Sequence, residues 1–351
     1  LKPNEERQHP QDEHDAYHPR RMLEHRALVS HRRLPDCGTV DERSFDRLGA
    51  VWFDTPMLKL MRSVPMVVLL GTLGTASLLA NDYEAEIEAW RIERETNLAA
   101  DDGWLTVSAL FFLREGNTTF GSSPRNDLVI PHLPAEAGVL ALEDGRVTVR
   151  AHAGGTLTID DVEVEGAQLY PSEKRVTVAA GPISFWVHLS GERLAIRARD
   201  TEAELRRSFT GLEWFPVDER YRVRGRFTPH GEPVTVKTMN ILGDVETYTS
   251  SGYVTLTVEG REVRMLPVNS GRRLWFIMRD QTSGEETYGA ARFLYADAPD
   301  EDGWTTVDFN KAYNPPCAFN PHTTCPLPPP DNRLDMRIEA GEKNYSGPGA
   351  H

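Results

Sequence analysis

From Gly103 to the C-terminus the chain alternates apolar and polar residues in short runs, and Gly, Asn, Asp or Pro closes almost every run. Side chains of an extended strand point to opposite faces in turn, so a period of two marks strands with one buried face. Strands are predicted at 105–113, 118–121, 127–130, 139–142, 146–151, 156–159, 162–165, 176–179, 184–190 and 193–199. A second set follows at 220–227, 234–239, 245–249, 253–258, 261–267, 273–280, 287–295 and 305–309. Glu143-Asp144-Gly145, Asp160-Asp161, Ser190-Gly191-Glu192, Val258-Glu259-Gly260-Arg261 and Thr282-Ser283-Gly284-Glu285 carry the turn chemistry of tight hairpins. The expected fold is all-β: two consecutive units, 81–200 and 220–345, each a β-sandwich or, in the second, a partly closed barrel. A linker at 201–219 joins them, and its Phe209, Leu212, Trp214 and Phe215 read as core at the seam.

One helix is predicted, over 82–98. Asn81 or Asp82 can cap it, and Glu84 and Glu86 suit the positive end of its dipole. Tyr83, Ile87, Trp90, Arg94 and Leu98 fall on one stripe, and Arg91 and Glu95 are spaced as an i,i+4 pair. Residues 1–56 lack any sustained period and are rich in His, Arg, Asp, Glu and Pro. Such a block cannot bury enough apolar surface to offset its ordering entropy, so it is expected to be disordered and outside the native product. Its histidines (His9, His14, His18, His25, His31) match no metal-ligand spacing. From Met57, Lys59 and Arg62 precede an apolar run and then the small residues of Ala76–Ala80. That layout predicts a signal peptide over 57–80, a start at Met57 or Met61, and a mature chain from about Ser77 or Asn81 in the periplasm or outside the cell. A buried helix or an uncleaved anchor is the alternative.

The formal charge of −14 argues against a nucleic-acid partner, which needs a basic footprint. No Walker loop, G-x-G-x-x-G after a strand, G-x-S-x-G or H-E-x-x-H is present, and no cofactor is expected. The chemically distinctive stretch is Asp308–Asp335, DFNKAYNPPCAFNPHTTCPLPPPDNRLD. Its Cys317 and Cys325 are expected to form a disulfide in an exported protein, stabilising by roughly 2–3 kcal/mol. A metal set of Cys317, His322 and Cys325 lacks a fourth ligand, and Cys317 with His322 as base is the nucleophile alternative. Candidate binding residues are Arg279, Tyr288, Arg292, Asp308, Asn310, Tyr313, Asn314 and His322. Tyr288 and Arg292 would face the loop if strands 287–295 and 305–309 pair as a hairpin. Equally, Asp308, Asn310 and Asn314 can satisfy a proline-rich loop's own backbone.

RDQTSGEETYGAARFLYAD at 279–297, the 308–334 stretch, IEAGEKNY at 338–345, RIERETNLAADDGWLTVSALFFLREGNTTFGS at 91–122 and GLEWFPVDERYRV at 211–223 resemble, in their order along the chain, the prokaryotic family catalogued as domain of unknown function 1684. The resemblance brings no activity and no catalytic residues. NTTFGSSPRNDLVIP at 117–131 also resembles the opening of a forkhead-associated domain, which implies a β-sandwich. Ser122 stands where that family has its phosphate-binding Arg, and Pro134-Ala135-Glu136-Ala137 replaces its Ser-x-x-His, so phosphopeptide reading is not implied. The expected role is an exported ligand-binding or accessory module for a small molecule or a protein, not stably inserted in a membrane. A hydrolase using Asp308, His322 or a Glu, and a scaffold without a ligand site, are the alternatives.

Overall fold

The computed structural model describes the backbone of residues 71–350 and the side chains of residues 82–350. Eleven strands build the first half: β1 (Val107–Phe112), β2 (Gly116–Gly121), β3 (Leu128–Val129), β4 (Gly138–Glu143), β5 (Arg146–Ala151), β6 (Leu157–Ile159), β7 (Val162–Val164), β8 (Gly166–Tyr170), β9 (Thr177–Ala180), β10 (Ile183–Ser190) and β11 (Arg193–Asp200). They form a six-stranded sheet, β1-β11-β10-β9-β6-β7, and a five-stranded sheet, β3-β2-β4-β5-β8. Alternate residues of both sheets, including Phe120, Leu140, Val149, Val178, Phe185 and Ile196, meet in one core. Phe120 and Phe185 pack edge to face at 5.3 Å, the arrangement that ring quadrupoles favour. The β4–β5 hairpin turns on Asp144 (φ 50°) and Gly145 (φ 75°), the left-handed pair its sequence predicts.

The second half contains β12 (Arg222–Met239), β13 (Val245–Val258), β14 (Arg261–Met265), β15 (Val268–Ser270), β16 (Arg273–Met278), β17 (Arg292–Asp297) and β18 (Trp304–Asp308). One sheet runs β14-β13-β12-β18 and the other β15-β16-β17, and neither closes into a barrel. Strand β16 has five consecutive buried residues because it is covered on both faces. Leu274, Phe276 and Met278 enter a core shared with Val254, Leu256 and Val307, whereas Trp275 and Ile277 enter another with Phe293, Cys317 and Cys325. β12 and β13 are each longer than the two short strands predicted in their place, because the ladder continues through an irregularity between Pro229 and Val234. Strands β8 and β15 have no counterpart among the predicted segments.

Helix α1 (Gly71–Leu98) starts before the predicted 82–98 span and runs through the residues read as the cleavage region. The earlier part of that leader and residues 1–56 lie outside the described residues. Among the described residues no helix is long and apolar enough to cross a membrane. Tyr83, Ile87, Arg91, Arg94 and Leu98 are buried, which is the predicted stripe with Arg91 in place of Trp90, itself only half-buried. Arg91 does not pair with Glu95; it bonds Glu88 at 2.8 Å and the Phe215 carbonyl at 2.8 Å. Glu95 instead accepts from the Leu212 amide and the Trp214 indole. From Tyr83 onward the described chain is one compact unit. Leu98, Leu105, Phe319 and Tyr345 form a small core against which Leu205, Phe209 and Leu212 pack.

Candidate functional site

The loop after β18 is a junction whose polar side chains are held by the protein itself. Asp308 caps the turn that follows it, accepting the Asn310 amide at 3.1 Å. Its two carboxylate oxygens also accept the Tyr83 hydroxyl of α1 at 2.9 and 3.0 Å. Asn310 is fully buried; its amide group donates to Tyr83 and to the Asp218 carbonyl, and its Oδ1 accepts the Asp218 amide. Burial and the facing Asp308 carboxylate push the Tyr83 phenol well above its ordinary range, so it stays a donor. Tyr313 is enclosed between the Arg94 guanidinium at 4.6 Å, Phe293 and Tyr295. The Asn314 backbone amide donates to Glu342, its side chain donates to the Lys343 carbonyl, and its own carbonyl accepts from Arg94.

Glu342 is a residue the sequence reading did not single out. It is wholly buried, 3.5 Å from Arg94 Nε. Burial raises its carboxyl to about 7, against the pull of Arg94 and the Asn314 amide. Gly341 (φ 84°) brings this C-terminal strap against the loop, and a Cβ there would lie 2.4 Å from the Ala312 carbonyl oxygen and 2.8 Å from that of Phe309. Only glycine tolerates both the left-handed backbone and that approach.

Arg292 is equally enclosed. It pairs with Asp280 at 2.7 Å, with both side chains fully buried, and donates to the Ile338 and Ala340 carbonyls. Asp280 in turn accepts the amides of Thr282 and Ile338 and the Thr282 hydroxyl. The pair therefore fastens the 279–291 loop and the C-terminal strap to β17. Tyr288 donates to the Cys317 carbonyl at 3.3 Å. The half-buried His322 has its amide on Asn320 Oδ1. The hairpin expected between 287–295 and 305–309 does not form: β17 pairs with β16, and β18 pairs with β12. Phe293 bonds Tyr313 of the loop instead.

Cys317 and Cys325 are both free and buried, which overturns the expected disulfide. The Cys317 amide donates to the Cys325 sulfur at 3.2 Å, and Thr323 Oγ1 lies 3.7 Å from the same sulfur. The Cys325 sulfur thus accepts one hydrogen bond and donates another, and no covalent bond joins the pair. Burial pushes the Cys317 thiol up. Burial also acts upward on Cys325, but the Cys317 thiol and amide, Thr323 and the Arg197 charge outweigh it and leave Cys325 below the ordinary thiol range. Among the described residues no group of three or more His, Cys, Asp or Glu could hold a metal ion.

The open site lies beside this junction. A groove of about 600 Å³ is lined by Arg279, Gln281, Ser283, Glu285, Arg333 and Asp335, with the Arg292–Asp280 pair beneath one wall. Of the predicted binding residues, only Arg279 reaches it. Arg333 was missed because its neighbours Asn332 and Leu334 bring it there through long-range backbone bonds. The Arg279 amide donates to the Asn332 carbonyl at 3.1 Å, and the Leu334 amide donates to the Arg279 carbonyl at 2.8 Å.

No curated protein matches the chain. Among solved structures it is similar to the solution NMR structure of an uncharacterized protein of Haloarcula marismortui, with 30% identity over 39% of this chain and 78% of that one and a TM-score of 0.34. Residues 207–343, which hold the loop, the Arg292–Asp280 pair and the groove, match the model of the family described as Protein of unknown function (DUF1684). The chain belongs to the DUF1684 family of proteins of unknown function.

Proposed function

We propose that the protein is an exported binding module whose ligand site is the groove between the 279–285 loop and the 333–337 segment. The observation that carries this reading is the contrast between two sets of polar side chains. Those of the Asp308–Cys325 loop are turned inward and joined to the chain, while Arg279 stands on an anchored wall around open space beside Gln281 and Ser283, which bond Asp335 and the Asp280 amide. Convergent polar groups on a rigid support are how β proteins present ligand sites. Export is supported by the Lys59 and Arg62 flank, the apolar run and the small residues that follow it. Hydrolysis at the loop is disfavoured, because both Asp308 oxygens are engaged by Tyr83 and the residue is buried.

A thermal-shift screen of chemically diverse small molecules tests the site. Ligands are expected to raise the melting temperature of the protein and of Asp308→Ala, from its lower baseline, but not of Ser283→Trp, which fills the groove. If no compound shifts any of the three proteins, the inward-turned loop favours the scaffold reading.

A further inference from the structure

We infer that the groove's ligand carries an oxyanion, a phosphate or a carboxylate, gripped between Arg279 and Arg333; this rests on the groove being the binding site. The two residues face each other across a parallel backbone bridge. Partners on such a bridge project to the same side about 5 Å apart. The two side chains thereby leave the backbone side by side, within reach of one anion, and an anion between them would relieve the repulsion of like charges placed opposite one another. Among the described residues, no hydrogen bond, ion pair or ring contact engages the Arg279 side chain, and Arg333 makes only two long contacts, at 3.4 Å, to the Pro328 carbonyl.

The acidic groups nearby already have partners within the protein. Asp280 is neutralised by Arg292, Glu285 shares Arg337 with Glu286 and Glu339, and Asp335 keeps its charge while accepting the Gln281 amide at 2.6 Å. Arg279 and Arg333 are therefore the groove cations that no carboxylate engages among the described residues. Paired planar forks fit the oxygen pairs of phosphate and carboxylate, with two donors each. Asp335 and Gln281 stand beside the pair and suit hydroxyl or amide groups on the rest of the ligand. Neither Arg is tied down by packing like that around Arg292, so both can close on an anion.

Inorganic phosphate, acetate and citrate are the probes, titrated by isothermal calorimetry and thermal shift at constant ionic strength. A saturable response to phosphate or to a carboxylate is expected, weakened about tenfold by Arg279→Gln or Arg333→Gln alone and lost in the double variant. Which anion responds distinguishes phosphate from carboxylate as the recognised group. Arg272→Gln, a surface change outside the groove, is expected to leave the response intact. A response that survives the double variant overturns the assignment. So does the absence of any anion response when a neutral compound binds and Ser283→Trp blocks it, an outcome that leaves the groove itself standing. Circular dichroism of the variants separates lost binding from lost folding.

Discussion

Two buried residues carry the sharpest consequences. Arg292 and Asp280 are an ion pair with no exposure, and removing one partner leaves a charge without water or counter-ion. Arg292→Ala is expected to cost about 3–5 kcal/mol in urea unfolding, and Arg292→Met with Asp280→Leu together far less than the sum of the singles. Glu342 makes stability depend on pH in the less usual direction. Its folded pKa of about 7 lies above the ordinary carboxylate value, so the folded state binds the proton more tightly. The resulting stabilisation is complete below the unfolded pKa and is lost as pH rises through about 7. Urea midpoints should therefore fall between pH 5 and pH 8, and Glu342→Gln should flatten that part of the profile. Arg94 and the Asn314 amide, which face Glu342, hold the charged form and limit the size of the effect. For the cysteines, intact mass is expected to be the same with and without reductant, and both thiols should react with a thiol reagent only after unfolding.

At the level of elements, α1 and the loop after β18 depend on each other. Tyr83, Lys311 with Glu86, and Arg94 join them at three points along the helix. Tyr83→Phe keeps the ring but removes the donor to a buried carboxylate, which costs about 1–3 kcal/mol. Its signature should be faster amide exchange in both α1 and residues 308–314, with β4 and β5 unchanged. The proline-rich loop needs such support because it has few ladder bonds of its own. Its Asn and Asp side chains provide that support, which is the role that competed with ligand binding in the sequence reading.

Across the molecule, the placement of β16 between two cores sets the order of unfolding. Its amides are expected to be among the slowest to exchange, and those of the edge strand β7, with Val162 63% exposed, among the fastest. The strand rhythm, the turns at Asp144-Gly145 and Glu259-Gly260, the helix stripe and the family were all legible in the sequence. Strand and helix periods are local properties, written in residues a few positions apart. The partners of the polar side chains were not legible. Tyr83 and Asp308 are 225 positions apart, and Arg292 and Ala340 are 48 apart. A sequence identifies an Asp, Arg or Tyr as capable of binding, but only the packing decides whether its partner is a ligand or the protein's own backbone. The all-β class therefore followed from the order of residues alone. The free thiols, the Arg292–Asp280 pair and the meeting of Arg279 with Arg333 were decided by tertiary structure, because each depends on segments that local patterning does not bring together.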